Sequence, residues 1–244
     1  RASQPPVGAP AAGSPAGGEG DTVIVNRPTA NADGKIAVEL PSGKHRVRFP
    51  ANASALDGKT GLIVSGEGWS ADIPAAVLEE LKALLSAERL KDASISLAVV
   101  PAGAAQAEAL LKQAGRMADA NVTAAGGMFE LSLAIIADDG TEAKLESFSE
   151  PVRLKLNVGE YANADLVGVY RIADNGGLEY AGGAGEEGTI AADLAYSGRY
   201  AALEYDKTFA DVPASHWAYD AVKRMAARQI ALGVGGVQFA PEQK

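Results

Sequence analysis

The sequence predicts a mainly β chain with some α structure, an α+β fold. Its body is sandwich-like and carries two amphipathic helices, and a short helical segment follows at the C-terminus. Three observations predict this. Short runs rich in Val and Ile recur between Gly-containing turns. Two stretches switch from the strand period of two to the helical period of 3.6. The last stretch, "FADVPASHWAYDAVKRMAARQIALGVGGVQFAPEQK", has a turn, a helical pattern and a glycine-rich loop unlike anything before it.

Residues 1–20 are Ala, Gly, Pro and Ser with almost no large apolar side chain. Such a segment cannot bury enough surface to offset its ordering entropy, so a flexible linker is expected there, with further sequence upstream of it. From Asp21 the runs "TVIVN", "KIAVEL", "HRVRF" and "GLIVSG" predict strands, separated by turns at Asp33-Gly34, Ser42-Gly43 and Asp57-Gly58. In "IPAAVLEELKALLSAERL" the residues Val77, Leu78, Leu81, Leu84 and Leu85 recur at helical spacing, and Pro74 suits the first turn. "SISLAVVP" returns to strand. "AAQAEALLKQAGRMADAN" predicts a second helix with Leu110, Leu111, Ala114 and Met117 on one side.

After Asn121 the pattern is β to about Tyr205. In "EPVRLKLNV" the residues Val152, Leu154 and Leu156 alternate with Arg153, Lys155 and Asn157. Hairpin turns are expected at Asp139-Gly140 and Asn175-Gly176. Strands spaced this closely make a sandwich or barrel. The organisation expected is therefore a linker (1–20), a β-rich body (21–206) and a C-terminal segment (207–244). A division of the body into 21–120 and 121–206 is left open.

Composition narrows the chemistry. The chain has 244 residues, no Cys, and two distant histidines, His45 and His216. Disulfides, thiol nucleophiles and zinc–thiolate sites are excluded, and a His-based catalytic or metal cluster has little material. The formal net charge is −9. It is concentrated in 21–206, which holds −11, while 207–244 has five Lys/Arg against three Asp/Glu. An acidic body does not suit a nucleic-acid backbone. No run of eighteen apolar residues predicts a membrane span, and residues 1–20 lack the apolar core of a signal peptide.

Candidate sites are weighed against their plainer structural roles. Asp138-Asp139-Gly140 lacks the spaced acids of a calcium loop, so a hairpin turn is expected. Adjacent acids, Glu79-Glu80 and Glu186-Glu187, point different ways and are expected to be solvated. Gly182-Gly183-Ala184-Gly185 lacks the Lys-Ser/Thr of a phosphate loop and is expected to be a turn. Ser197 has no base near it in sequence, and His45 is expected to face solvent between Lys44 and Arg46. Trp69 is expected in the core. No catalytic residue, cofactor or metal ligand is assigned.

The C-terminal residues carry a resemblance. Phe209, Asp211 and Val212, then His216, Trp217 and Ala218, then Ile230 and Gly233, then Phe239 and Pro241 resemble the start of a first S-layer homology repeat over 209–241. The resemblance implies a secreted bacterial protein of the cell wall or S-layer. In that family three repeats form a helical prism that grips a secondary cell-wall polysaccharide, and self-association in a surface layer is a further partner. It also implies that Trp217 packs between helices, and that the Arg-bearing second helix of the repeat would start where this sequence stops, so a truncated repeat is expected. The residues agree with a helix: Ser215 suits an N-cap, and Ala218, Ala221, Val222 and Met225 make an apolar face. Asp220 precedes Lys223 and Arg224 by three and four residues on the other face, and Gly233 and Gly236 suit the helix end. With no partner helix, this helix is expected to be marginal in water. Asp211 is expected to hold its turn through its side chain.

Residues 150–205 are similar to ZU5-like and GAIN-like β-sandwich modules. Some GAIN modules self-cleave at a His-x-Ser/Thr turn. The corresponding place here, Tyr196-Ser197-Gly198-Arg199, has no His, so cleavage is not expected.

Overall fold

The computed structural model describes residues 19–161, 163–186 and 188–241. Most of the expected linker, Glu187 and the terminal Glu242-Gln243-Lys244 lie outside the described residues, as does the Glu186 side chain. Strands β1 (Thr22–Ile24), β2 (Lys35–Glu39), β3 (Arg46–Pro50), β4 (Gly61–Gly66) and β5 (Trp69–Ile73) come first. Helix α1 (Ala75–Ala83) and a single turn, α2 (Ala87–Leu90), follow, then β6 (Ser94–Pro101), α3 (Ala104–Ala118) and β7 (Asn121–Ile136). The rest is β8 (Glu142–Leu145), β9 (Ser147–Asn157), β10 (Val167–Ile172), β11 (Leu178–Gly182), β12 (Ala184–Glu186), β13 (Thr189–Tyr196), β14 (Gly198–Asp206) and α4 (Tyr219–Ala227).

The strands form two sheets. One has the order β1-β3-β6-β7-β14-β10-β11, with β8 also on β7; the other has the order β12-β13-β9-β5-β4-β2. From β1 to β4 the chain alternates between sheets, so β1 pairs β3 and β2 pairs β4, both in parallel. Residues 21–120 and 121–206 both contribute to each sheet, with β6 on β7 and β5 on β9. The central β7 is long enough to serve three neighbours: Asn121–Leu131 pairs β14, while its second half pairs β6 on one side and β8 on the other.

The main core lies between the sheets. Period-two alternation places Val152, Leu154 and Leu156 of β9 inward with no exposure, while Arg153 pairs outside with Asp193 on β13. Trp69 is buried, as expected. The strand that contains it was not expected, although Trp69, Ala71 and Ile73 alternate inward there. Helix α1 contacts β4 and β9 of one sheet and β7 of the other, so Val77, Leu78 and Leu81 close one end of the sandwich. The predicted helix ends earlier than its pattern suggests. Leu84 caps it and is exposed, Leu85 is only partly buried, and the chain turns into α2.

Both expected hairpins form. Gly140 and Gly176 take positive φ in the β7–β8 and β10–β11 turns. The Gly182–Gly185 stretch, expected as a turn, is strand on either side of Gly183, where the chain leaves the larger sheet at the end of β11 and enters the smaller at β12. His45 is half-buried rather than solvent-facing, because its backbone is tied to Asp21 on one side and Val99 on the other. Among the described residues no helix is long and apolar enough to cross a membrane.

Candidate functional site

The larger sheet has a second apolar face. Along β10 and β14 the inward residues Val169, Tyr200 and Ala202 alternate with Tyr170, Ile172, Ala201, Leu203 and Tyr205, which point away from the sandwich. A bare sheet face carrying three large side chains would be costly in water. Helix α3 covers part of it with Leu110 and Ala114, while Met117, expected on the same side, is exposed. The C-terminal segment covers the rest: Phe209, Val212, Val222, Ala226 and Ala227 are buried in this second core. Helix α4 thus has a partner, which is the body's own sheet. That corrects the expectation of a marginal helix, since tertiary burial supplies what a short isolated helix lacks.

Directional contacts fix how the segment sits. The Tyr170 hydroxyl donates to the Ala227 carbonyl at the end of α4. Burial pushes the Tyr170 pKa well up, so the hydroxyl stays a protonated donor. Gln229 lies along the sheet's edge strand. Its Oε1 accepts from the Tyr180 amide at 2.7 Å and its Nε2 donates to the Leu178 carbonyl at 2.8 Å, satisfying backbone groups of β11 that have no further strand. Lys223 pairs with Asp206 at 2.7 Å and Arg224 with Asp165 at 3.1 Å. The expected pairing of these two with Asp220 along the helix gives way to pairing with the body, because α4 turns that side toward β14 and the 164–166 turn. Lys207 donates to the Ala118 carbonyl at the end of α3 and lies over the Phe209 ring.

The residues singled out from the sequence fall into three groups. Phe209 and Val212 are core, and Phe239 packs on Phe209 with ring centroids 5.2 Å apart. Asp211 acts further away than expected: its carboxylate accepts from the amides of Phe239 and Ala240 at 2.9 and 2.6 Å, clasping the returning chain. Those amides hold its pKa below the ordinary 3.8, with a smaller contribution from His216. Gly233 sits where a side chain would strike the Gln238 carbonyl at 2.4 Å and the Phe209 ring at 2.7 Å, so its backbone passes closely under the loop.

His216 and Ala218 set the helix start. Ala218 is the N-cap, and His216 Nδ1 accepts from its amide at 3.2 Å. The expected N-cap, Ser215, is exposed and lies before this turn. The helix stops at Ala227 rather than near Gly233, because Gln229 takes a left-handed conformation held by its two bonds to β11. Trp217, expected to pack between helices, is 92% exposed and stacks on His216. Ile230 is 70% exposed, Ala221 and Pro241 are exposed, and Leu232, Val234 and Val237 extend this apolar surface. Sequence reasoning missed Gln229, Tyr170 and Asp206; a lone amide and a strand tyrosine carry no local signal of a docking role.

Elsewhere the residues singled out make local contacts. Asp139 accepts from the Thr141 amide and pairs with Arg89 in the β7–β8 turn. Glu79 pairs with Lys82, and Glu80 accepts from the Ser149 amide. The Ser197 hydroxyl donates to the Leu145 carbonyl at 2.6 Å. Among the described residues no group of three or more His, Cys, Asp or Glu is gathered as a metal site.

Comparison with known proteins agrees with this anatomy. Residues 208–244 match the model of the S-layer homology domain. The chain is also similar to an amylopullulanase of Thermoanaerobacterium thermosulfurigenes, 29% identical over 136 residues, covering 54% of this chain and 7% of that protein. A match of that extent is longer than 208–244, so it reaches into the body. No solved structure matches, and neither finding supports the likeness of 150–205 to ZU5-like or GAIN-like modules. With these residues matched and placed, the C-terminal segment of the chain is what resembles the S-layer homology domain, and the body is what it rests on.

Proposed function

We propose that this chain is a non-catalytic structural module of a secreted bacterial surface protein, set beside the domain that anchors it to the cell wall. The observation that carries this is the docking of the S-layer homology segment onto the body's outer sheet face. Tyr170, Gln229, Lys223 and Arg224 fix its orientation, so the body is held at a defined angle to whatever the anchor grips. The partner is a secondary cell-wall polysaccharide, bound through a complete S-layer homology domain. Trp217, Ile230, Leu232, Val234 and Val237 are exposed and suit packing against a further S-layer homology repeat.

Pelleting with protein-free cell walls tests the reading. Residues 1–244 are expected to remain largely in solution, and a version extended through three full repeats to pellet saturably. Saturable pelleting by 1–244 alone, or no pelleting by the extended version, would overturn it.

A second reading has its own support. The amylopullulanase likeness reaches into the body, which suits an accessory carbohydrate-binding or adhesive module of a surface-anchored polysaccharide-degrading enzyme. In either reading this chain performs no hydrolysis. Assays on starch, pullulan, peptides and esters are expected to show no turnover, and turnover abolished by one Asp or Glu substitution would refute that.

A further inference from the structure

We propose that the end of the larger sheet where β14 starts carries a binding cleft for an uncharged oligosaccharide, away from the area covered by α3 and the C-terminal segment. This deepens the second reading, on which it rests for ligand class, and owes nothing to the anchoring one. The cleft has a volume of about 680 Å³ and is bounded by β7, β8, the start of β14, the end of β10 and the β10–β11 turn. That volume lies within the roughly 300–1,000 Å³ of small-ligand sites.

Its charged residues nearly cancel. Lys144, Arg171 and Arg199 face Glu130, Glu146 and Asp174, with Glu179 beyond Arg171. The two guanidinium groups are held within the site. Arg199, only 12% exposed, reaches Asp174 at 3.2 Å and Glu130 at 3.7 Å. Arg171 reaches Glu179 at 3.5 Å and lies over the Tyr196 ring at 5.2 Å.

A guanidinium has five donors and a carboxylate about four acceptor positions, so one mutual contact leaves donors and acceptors side by side. Neighbouring sugar hydroxyls, each able to donate and accept, match that arrangement. A strongly anionic ligand would meet four carboxylates. A peptide anchored by an apolar side chain finds the cleft's Leu131 and Ile172 already buried, one in each core. Tyr196, 45% exposed, does not line the cleft but borders it, with one ring face against the cleft residue Arg171, and its part-apolar ring at that edge is a surface of the kind a sugar face packs on.

The walls are preorganised. The Ser197 amide donates to the Glu146 carbonyl and its hydroxyl to the Leu145 carbonyl, tying the start of β14 to the end of β8. Two backbone bonds close the Ala173–Gly177 turn. Little ordering cost then falls on binding.

The test is a titration of 15N-labelled 1–244 with maltoheptaose, cellohexaose and xylohexaose, with oligogalacturonate as the charged control. At least one neutral glycan is expected to move the amide signals of Ser132, Asn175 and Ser197–Arg199 saturably. Asp174→Ala, at a side chain 97% exposed and so harmless to the fold, should weaken that binding. Tyr196→Ala should do the same, each by about tenfold. Unchanged binding in both variants, or binding of the charged control alone, would overturn the cleft. Saturable shifts elsewhere would overturn the cleft and leave the accessory-module reading standing. No shift with any neutral glycan at about 10 mM would sink both.

Discussion

The two faces of the larger sheet are built from the same strands and hold their partners differently. The inner face presents Val47, Ile95, Leu97, Val99 and Leu133, which meet Leu62, Val64, Leu154 and Leu194 of the other sheet. It is largely aliphatic, and its attraction is non-directional and scales with area. The outer face is aromatic. Tyr170 stacks on Tyr205 at 5.9 Å and meets Tyr180 edge-on at 5.5 Å, and around them lie the hydroxyl, amide and ion-pair contacts to α4 and Gln229. Area sets how tightly a layer adheres, while directional bonds set where it sits. The inner face therefore holds the body together, and the outer face orients the C-terminal segment upon it.

Removing 207–244 tests this comparison most severely. The chain is expected to unfold cooperatively still, because the inner core lies within 21–206. Its stability should fall, because Tyr170, Leu203 and Tyr205 become exposed. At about 1.5–3 kcal/mol each, the loss is roughly 5–9 kcal/mol as an upper bound. A broad, non-cooperative urea transition would show instead that the outer face is needed for the body to fold.

Leu154→Ala strikes the inner face alone. Leu154 is fully buried in the smaller sheet, and the cavity should cost about 2–5 kcal/mol. Hydrogen exchange should rise in β5, β9 and α4 together, because the body's global opening is what changes. Tyr170→Phe strikes the outer face alone. It keeps the ring and leaves the Ala227 carbonyl without its donor, at a cost of about 1–3 kcal/mol. Exchange should then rise in Tyr219–Gln229 and not in β5 or β9. Equal acceleration in both regions would mean that the segment and the body open as one unit.

Much of the inner face was legible in the sequence, because alternation such as Val152, Leu154, Leu156 is local. The hairpins at Asp139-Gly140 and Asn175-Gly176 were legible for the same reason. The parallel pairings of β1 with β3 and β2 with β4 were not, since they depend on the chain crossing between sheets. The outer face was half legible. The apolar residues Phe209, Val212 and Val222 marked a buried side, but their spacing does not say against what. Asp220, Lys223 and Arg224 have helical spacing that suits mutual pairing, yet docking brought Asp206 and Asp165 nearer to the two cations. Trp217 shows the converse: a large aromatic residue signals burial on average, and here none of the described elements comes over it.

The smallest expected effect separates the clasp at Asp211 from both faces. Its carboxylate accepts from the amides of Phe239 and Ala240, so folding favours the charged form and its pKa lies below the ordinary 3.8. A carboxyl group lowered on folding stabilises the fold above its unfolded pKa, and that contribution is lost as pH falls through the folded value. Protection of the Phe239 and Ala240 amides should therefore be full at neutral pH and fade below 3.8. The exchange rates of β5 and β9 should not follow. Asp211→Asn should weaken the clasp at neutral pH and flatten the acid dependence of these two amides, since its amide oxygen still accepts but no longer titrates. Acid loosening that persists in this variant would place the responsible group elsewhere. Loosening that spreads to α4 would show that the returning loop and the docked helix share one opening, and that the outer face is held by its clasp as well as by its tyrosines.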